Sequence, residues 1–169
     1  MNSNLLESDL QRVPGAKITS FQKYLRKAQS CKNRFIYLFW KYLSMKAGKK
    51  LHIEIFPETQ IGEGLYIGHA YCITVNPKAK IGKNCNIHRG VLIGQENRGK
   101  RIGTPVIGDN VWIGINAAIV GNVNIGNDVL IAPNTFVNCD IPDHSVVFGN
   151  PCQIKHKDGA TENYINNRV

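Results

Sequence analysis

Aliphatic residues recur through the middle of the chain at a spacing of six. They fall in three blocks of unbroken period: Ile55, Ile61, Ile67 and Ile73, then Ile81, Ile87 and Ile93, and then Ile107, Ile113, Ile119, Ile125, Ile131 and Val137. Helices space their apolar residues by three or four and half-buried strands alternate, so neither element produces this period. A short fixed repeat instead predicts a solenoid of very short strands and tight turns.

The residues that flank each aliphatic position support the same interpretation. A second small or aliphatic residue stands two positions earlier, as at Cys85, Val91 and Val123, and glycine commonly follows, as in "IGEG" and "IGDN". Glycine and asparagine suit tight turns because they adopt left-handed backbone conformations readily. Three six-residue units would make one triangular coil. We therefore predict a mainly β protein, a parallel β-helix over residues 51–154 with its aliphatic residues stacked inside.

The repeat is interrupted twice. The gap between Ile73 and Ile81 is eight residues, which we interpret as a two-residue adjustment within "VNPKAK", and the gap between Ile93 and Ile107 is fourteen. The second gap predicts that residues 94–105, "GQENRGKRIGTP", leave the coil as a loop. Loops on rigid scaffolds often carry function. The cations of this loop suit a phosphate or pyrophosphate group.

The ends of the chain follow different patterns. Between Phe21 and Gly48 the apolar residues have helical spacing, and Gly48 is a plausible helix stop. We predict a helical N-terminal region, residues 1–50, whose apolar residues, Phe35 and Phe39 among them, pack over the open first coil as a cap. Residues 155–169 are predicted to form a basic C-terminal tail.

The charge of the chain suggests an anionic partner. The formal net charge is +9 at pH 7, and residues 23–50 hold nine lysines and arginines and no acidic residue. Such a surface is either simply solvated or attracts anions. We expect a phosphorylated co-substrate first, and second a peripheral association of the basic N-terminal helices with a membrane. We expect no nucleic acid, because no nucleic-acid-binding motif accompanies the charge.

Composition also predicts the compartment. The densest apolar run, "FIYLFW" at residues 35–40, is too short to span a bilayer, and the acidic start "MNSNLLESDLQR" does not resemble a signal peptide. The five cysteines are an odd number without a C-x-x-C pair. Such cysteines are typical of reduced thiols rather than of a disulfide framework or a zinc site. We predict a cytoplasmic protein.

Two stretches of the chain resemble a known family. They are "IEIFPETQIGEGLYIGHAYCITVNPKAKIGKNCNIHRGVLIG" and, after the loop, "TPVIGDNVWIGINAAIVGNVNIGNDVLIAPNTFVNCDIPDHSVVFGNP". They resemble the hexapeptide-repeat acyltransferases, in particular the serine acetyltransferase branch, and within it the members that O-acetylate capsular or extracellular polysaccharide sugars. The resemblance implies a left-handed β-helix, a homotrimer, and acetyl-CoA as co-substrate in the groove between neighbouring prisms. It implies no metal and no further cofactor.

The catalytic residues of that family fall on two residues of this chain. The resemblance implies that His69 is the catalytic histidine and that Glu54, fifteen residues earlier, is the carboxylate that orients it. A neutral imidazole can accept the proton of a hydroxyl group as that group attacks a thioester, and a carboxylate on its other nitrogen fixes the required tautomer. Backbone N–H groups would stabilise the oxyanion. His88 is either an acceptor- or cofactor-binding residue or a tolerated surface residue.

The co-substrate contacts carried over from the family are mostly backbone positions and surface cations. The candidates are Ile115, Asn116, Pro133 and Asn134, with Lys155 and Lys157 as phosphate partners and Arg98, Lys100 and Arg101 in the loop as further ones.

The acceptor is predicted from residues that are missing. Serine acetyltransferases carry an acid directly before the catalytic histidine and an Arg-His pair before the proline that follows the loop. This chain has Gly68 and Gly103-Thr104 there, so the charged clamp for a zwitterion is absent and the glycines open space. We predict a sugar hydroxyl of a surface polysaccharide or its precursor as acceptor, with Gly68, Thr104 and His88 lining its site. Serine is the alternative.

Two alternatives belong to other functional classes. The same coil serves γ-class carbonic anhydrases, metal lyases in which three histidines hold zinc. His69 and His88 lie about one coil apart, but no further histidine pair with the required spacing accompanies them. A catalytically silent binding module is the other alternative.

Overall fold

The computed structural model describes residues 5–15 and 18–169. Three helices come first: α1 (Leu5–Arg12), α2 (Ser20–Gln29) and α3 (Arg34–Leu51). Fifteen strands of two to four residues follow within the described part: β1 (Ile53–Glu54), β2 (Gln60–Ile61), β3 (Tyr66–Gly68), β4 (Ile73–Val75), β5 (Lys80–Ile81), β6 (Asn86–His88), β7 (Leu92–Gly94), β8 (Val106–Ile107), β9 (Val111–Ile113), β10 (Ala118–Val120), β11 (Asn124–Ile125), β12 (Val129–Ile131), β13 (Phe136–Val137), β14 (Ser145–Phe148) and β15 (Gln153–His156). No helix of these residues is long and apolar enough to cross a membrane.

The strands form the three faces of a parallel β-helix of about five turns. Face A has the order β1-β4-β7-β10-β13, face B the order β11-β8-β5-β2, and face C the order β15-β14-β12-β9-β6-β3. All neighbours pair in parallel except β14 and β15, which are antiparallel. The predicted fold is confirmed. The sequence produces it because the inward side chains of the short strands are small or aliphatic, and the turn after each strand directs the chain onto the next of the three faces.

The aliphatic repeat forms the core as predicted. All thirteen repeat residues are buried, with exposed fractions between 0% and 8%. The residues two positions earlier, from Ala79 to Thr135, are buried as well. Burying a branched side chain of this size stabilises the fold by about 1.5–3 kcal/mol. Because every coil repeats the same burial, the ladder specifies one register for the whole prism.

The position of the first two-residue adjustment differs from the prediction. Gly68 pairs with His88 and Thr74 pairs with Leu92. Five residues therefore lie between paired positions in the first coil, 69–73, where only three lie in the second, 89–91. The extra residues are in the turn that begins with His69, and not in "VNPKAK". Val75, rather than Ile73, stacks on Ile93.

Polar side chains of α1 and α2 satisfy the exposed backbone edge of the first coil. Arg26 donates to the carbonyl oxygens of Ile61 and Gly62, and Asp9 accepts from the N–H of Leu65. Arg26 and Asp9 also form a two-pronged ion pair with N–O distances of 2.8 and 3.0 Å, and both side chains are fully buried. An open strand edge would leave these backbone groups unpaired or available to another chain.

Gly48 does not end the last helix. α3 continues to Leu51 and ends at His52, which adopts the left-handed conformation with φ of 53°. Gly48 is buried, and a Cβ atom there would lie 2.7 Å from the carbonyl oxygen of Ile53 and 3.3 Å from the ring of Phe21. The glycine is thus required for close packing of α3 on the coil.

The cap is built by α2 together with Ala47 and Leu51 near the end of α3, and not by Phe35 and Phe39. Phe21 and Leu25 of α2 are buried in the core. Phe35 and Phe39 of α3 are 82% and 55% exposed. The prediction that they cover the first coil is therefore wrong, since the helical region breaks after Gln29 and α3 turns its aromatic face outward.

The C-terminal residues form an ordered part of the molecule. β15 spans part of the predicted tail, and the chain then runs back along face C. The carboxylate of Asp128 accepts from the N–H groups of Ala160 and Thr161 and from the hydroxyl of Thr161. Because Asp128 accepts these hydrogen bonds, and one from His144, its pKa is lowered to about 2 despite its burial.

Candidate active site

His69 lies on the edge of the prism where face C turns into face A, which we call the histidine edge. The edge consists of the turns 69–72, 89–91, 114–117 and 132–135, one above the other. His69 follows β3 directly, is exposed, and has a φ of 51°. The left-handed region is uncommon for residues other than glycine, although asparagine, aspartate and histidine enter it more readily than most. The lengthened turn thus presents the imidazole to solvent.

Backbone hydrogen bonds stack the turns of the histidine edge. The N–H of Gly90 donates to Tyr71 at 3.1 Å, that of Asn116 to Arg89 at 3.0 Å, and that of Asn134 to Ile115 at 2.9 Å. Four of the co-substrate candidates, Ile115, Asn116, Pro133 and Asn134, consequently stand in line with His69. Their role in binding stays a prediction.

Glu54 forms no ion pair with His69 within the described part of one chain. Glu54 is exposed on β1 and pairs in register with Thr74 on face A, one strand away from the turn that carries His69. Among the described residues, no hydrogen bond joins its carboxylate to the imidazole. The pairing of the two side chains stays a prediction.

His88 is buried, so the surface-residue alternative does not hold. Only 9% of it is exposed, with Trp112 4.6 Å away between ring centroids and Tyr66 at 6.1 Å. Nδ1 lies 2.9 Å from the carbonyl oxygen of Ile113. Because a carbonyl oxygen can only accept, Nδ1 carries the proton and Nε2 presents its lone pair.

The environment keeps His88 neutral. Burial lowers the pKa of its imidazole, the hydrogen bond to Ile113 opposes that effect, and the nearby His69 lowers it further. An uncharged ring therefore lies beside the exposed His69. It can accept a hydrogen bond at Nε2 without adding positive charge to the site.

Gly68 does not open the space expected from the sequence. A Cβ atom at this position would lie 2.5 Å from Cδ2 and 2.7 Å from Nε2 of His88. The ring of His88 therefore occupies the volume that a side chain at position 68 would need. The two residues are linked: an acid before His69 requires a smaller or differently oriented side chain at position 88.

The loop lies on the opposite edge of face A, which we call the loop edge. The chain leaves the coil after β7, which ends at Gly94, and rejoins it at β8, and Glu96 and Gly103 close the loop between them by two backbone hydrogen bonds of 3.0 Å. Arg98, Lys100 and Arg101 line a cavity of about 220 Å³ between the loop and face A. The structure thus brings the three loop cations together, with Arg101 3.5 Å from Asp140.

The remaining predicted residues lie apart from His69. The hydroxyl of Thr104 donates to the carbonyl oxygen of Lys78 at 3.2 Å on the loop edge. Lys155 lies on β15, at the far end of face C, and the N–H of Lys157 donates to His144. A single chain therefore does not unite Thr104, Lys155 and Lys157 with the histidine.

Sequence reasoning missed Arg89. Its side chain is exposed, and its backbone lies in the turn stacked directly on that of His69, with its N–H donating to Gly68 at 3.1 Å. No described residue forms an ion pair with it. The only signal in the sequence is an arginine inside the repeat, next to His88.

The described part of the chain contains no group of three histidine, cysteine or acidic side chains placed to hold a metal ion. His69 and His88 therefore have no third ligand of these types beside them. The predicted absence of a metal remains to be tested by elemental analysis of the protein.

Comparison with known proteins agrees with this fold. Residues 104–139 match the family described as "Bacterial transferase hexapeptide (six repeats)". The serine acetyltransferase of Staphylococcus xylosus is 40% identical over 109 residues, covering 63% of this chain and 50% of that protein. The serine acetyltransferase of Staphylococcus aureus strain Mu50 is 36% identical over 127 residues, covering 71% and 59%. The chain thus spans half to six tenths of the length of these curated relatives.

A solved structure extends the likeness to the helical cap. The serine acetyltransferase of Neisseria gonorrhoeae in complex with serine matches with a TM-score of 0.74 and 26% identity, covering 90% of this chain and 68% of that one. The repeat, the buried ladder and the three-faced prism define a hexapeptide-repeat β-helix protein. In sequence it is similar to serine acetyltransferases over part of their length.

Proposed function

We propose that this protein is an O-acetyltransferase that uses acetyl-CoA as co-substrate. The observation that carries the proposal is His69, an exposed imidazole on a lengthened turn, in a chain whose homologues are serine acetyltransferases. The stacked turns above His69 provide an edge along which the co-substrate can lie. Use of acetyl-CoA also supports a cytoplasmic location.

His69 acts as the general base in this proposal. Its neutral imidazole takes the proton of the acceptor hydroxyl as the oxygen attacks the thioester carbonyl. A free, high-energy alkoxide therefore does not have to form before the attack. The tetrahedral intermediate then expels the CoA thiolate, which receives the proton from the imidazolium. We propose that Glu54, on the strand that pairs with β4, orients the ring. No covalent acyl-enzyme forms.

L-Serine is the acceptor that the comparisons favour, and they support this alternative better than the polysaccharide sugar expected from the sequence. The curated relatives are named serine acetyltransferases. Arg89 supports the same acceptor, because it places a guanidinium without an ionic partner among the described residues one coil above His69. Arginine binds carboxylates through two parallel hydrogen bonds. Arg89 would take the role of the arginine that serine acetyltransferases carry before the proline after the loop, and that this chain lacks before Pro105.

A sugar hydroxyl is the second candidate, favoured by one specific observation. No acid precedes His69, and the ring of His88 blocks the position from which an acid would pair with the ammonium group of serine. A neutral polyol needs no such partner. The neutral His88 can instead accept a hydrogen bond from a sugar hydroxyl.

Steady-state kinetics will decide between the two acceptors. We expect kcat/KM for L-serine of about 10⁴ M⁻¹s⁻¹ or more, in the usual enzyme range. Arg89→Gln should raise KM for serine roughly tenfold or more, the size of a hydrogen bond to a charged group, and change kcat less. Arg34→Gln, an exposed arginine on α3, is the matched control. Turnover of amino or neutral sugars with serine inert would establish the sugar instead.

We also propose that the active enzyme is a homotrimer. In one chain the histidine edge and the loop edge border face A, whose outer residues Leu92, Ala118 and Phe136 are in register and at least partly exposed. A single chain therefore supplies only one wall of a binding groove. A neighbouring prism would supply the second wall of a groove and bring its own loop cations or Lys155 and Lys157 toward His69.

Light scattering at micromolar concentration tests this assembly. We expect the mass of three chains of 18.8 kDa each. A monomer that turns over acetyl-CoA at the same concentration would contradict the two-walled groove.

A further inference from the structure

The solvent-facing side of α3 is strongly apolar. Phe35, Tyr42 and Phe39 are 82%, 61% and 55% exposed. Residues three, four and seven positions apart share one face of a helix, so these side chains form a continuous stripe with two more exposed residues. We call it the outer face of α3; its members are Phe35, Leu38, Phe39, Tyr42 and Met45. A stripe of this kind marks an interaction site.

A cavity borders α3 next to this face. It has a volume of about 570 Å³, lies between α2 and α3, and is lined mainly by apolar side chains. Lys46 and Lys50 also line it. An apolar recess with two ammonium groups fits an amphiphile that has an anionic head.

The charge around the outer face of α3 identifies the occupant. Residues 23–50 hold nine lysines and arginines and no acid. Arg26 and Lys41 are paired with Asp9 and Glu58. The exposed cations are Lys23, Lys32, Arg34, Lys46, Lys49 and Lys50. A second copy docking face to face would set these like charges against each other, whereas a surface of phosphate groups complements them.

We propose that the outer face of α3 binds the surface of a membrane that contains anionic lipids. An amphipathic helix lies in the plane of the interface with its apolar side chains at the boundary between headgroups and acyl chains. The surrounding lysines gain attraction from anionic headgroups, by about 1 kcal/mol for each cation near the surface. His69 lies on the β-helix and not on the cap, so this inference does not depend on the proposed chemistry.

Sedimentation with vesicles tests the proposal. The full chain should sediment with vesicles of phosphatidylcholine and phosphatidylglycerol, and much less with phosphatidylcholine alone. Added salt should weaken the binding, because it screens the lysines. The double variant Phe35→Ser/Phe39→Ser should bind the anionic vesicles roughly tenfold or more weakly. It loses the free energy that each phenylalanine side chain gains on moving from water into the membrane interface.

Control variants separate the apolar and electrostatic contributions. Lys46→Glu/Lys50→Glu should abolish binding to anionic vesicles, and Lys78→Glu, an exposed lysine on the loop edge, should not. Phe148→Ser, which changes a phenylalanine that is 40% exposed at the far end of the prism, should leave binding unchanged. Unchanged melting temperatures would show that all variants fold.

Three results would overturn the proposal. The first is that the full chain fails to bind anionic vesicles, and the second is that it binds neutral vesicles equally well. The third is that Phe35→Ser/Phe39→Ser leaves vesicle binding intact while lowering the mass in light scattering, which would assign the outer face of α3 to a second copy of the chain.

Discussion

Replacement of His69 by alanine should lower the rate of acetyl transfer by about 10²–10⁴-fold, the usual contribution of a general base. The acceptor hydroxyl would then have to lose its proton to water as it attacks. Because the side chain is exposed on a turn, its removal creates no cavity in the core, and folding should be unaffected. Stopped assays of CoA release with saturating acetyl-CoA measure the effect.

Two further measurements distinguish the loss of the general base from a general loss of binding or folding. Acetyl-CoA affinity, measured by calorimetry, should stay close to that of the wild type, since His69 acts on the acceptor. Glu54→Gln should cost less than His69→Ala, because it perturbs the orientation of the imidazole without removing it. If His69→Ala keeps more than roughly a tenth of the wild-type rate, the assignment of the base is wrong.

Replacement of Arg26 by methionine should produce the largest loss of stability, about 3–5 kcal/mol, the usual cost of breaking a buried ion pair. The change leaves the carboxylate of Asp9 buried without its cation and removes the donors to Ile61 and Gly62. The first coil would lose the cap on its open edge. Denaturant titration followed by circular dichroism gives the free energy of unfolding.

An exposed ion pair provides the control for this change. Lys83 lies 2.7 Å from Glu63, but 55% of its side chain is exposed. Lys83→Met should leave the melting temperature almost unchanged, because exposed pairs are largely screened by water. A similar loss for both variants, or a loss below about 1 kcal/mol for Arg26→Met, would show that the buried pair does not hold the cap in place.

The β-helix could be predicted from the sequence because every coil repeats the same local rule. A buried aliphatic residue at each sixth position and a turn residue after it recur without reference to distant parts of the chain, from Ile107 to Val137 most regularly. The loop at 94–105 was visible for the same reason, since it interrupts a period that is otherwise regular.

The period did not locate the extra residues of the first coil. Ile73 continues the six-residue spacing forward from Ile67, Val75 continues it backward from Ile81, and both are buried, so the spacing alone does not decide which of the two stacks on Ile93. Strand pairing with the next coil decides that register. The helical cap itself was predicted correctly, but the placing of Phe35 and Phe39 in it was wrong, because helical spacing does not show which face of α3 meets the coil once α2 has docked.

His69 could be singled out from the sequence only through the family resemblance. Its neighbours required the structure, because they come from adjacent coils. The ring of His88 fills the space beside Gly68, and Arg89 stacks above the turn of His69. Both contacts join residues about twenty positions apart in the sequence. The type of residue at one position does not predict which residue lies beside it in the next coil.

The most direct test of the proposed activity follows the acetyl group itself. The full chain is incubated with acetyl-CoA labelled in the acetyl carbon, together with L-serine or a sugar, after treatment with a chelator. We predict one CoA released for each acetyl ester formed on an acceptor oxygen, with the label in that ester. Intact acetyl-CoA in the presence of every acceptor at saturating concentration would contradict the assignment as an O-acetyltransferase.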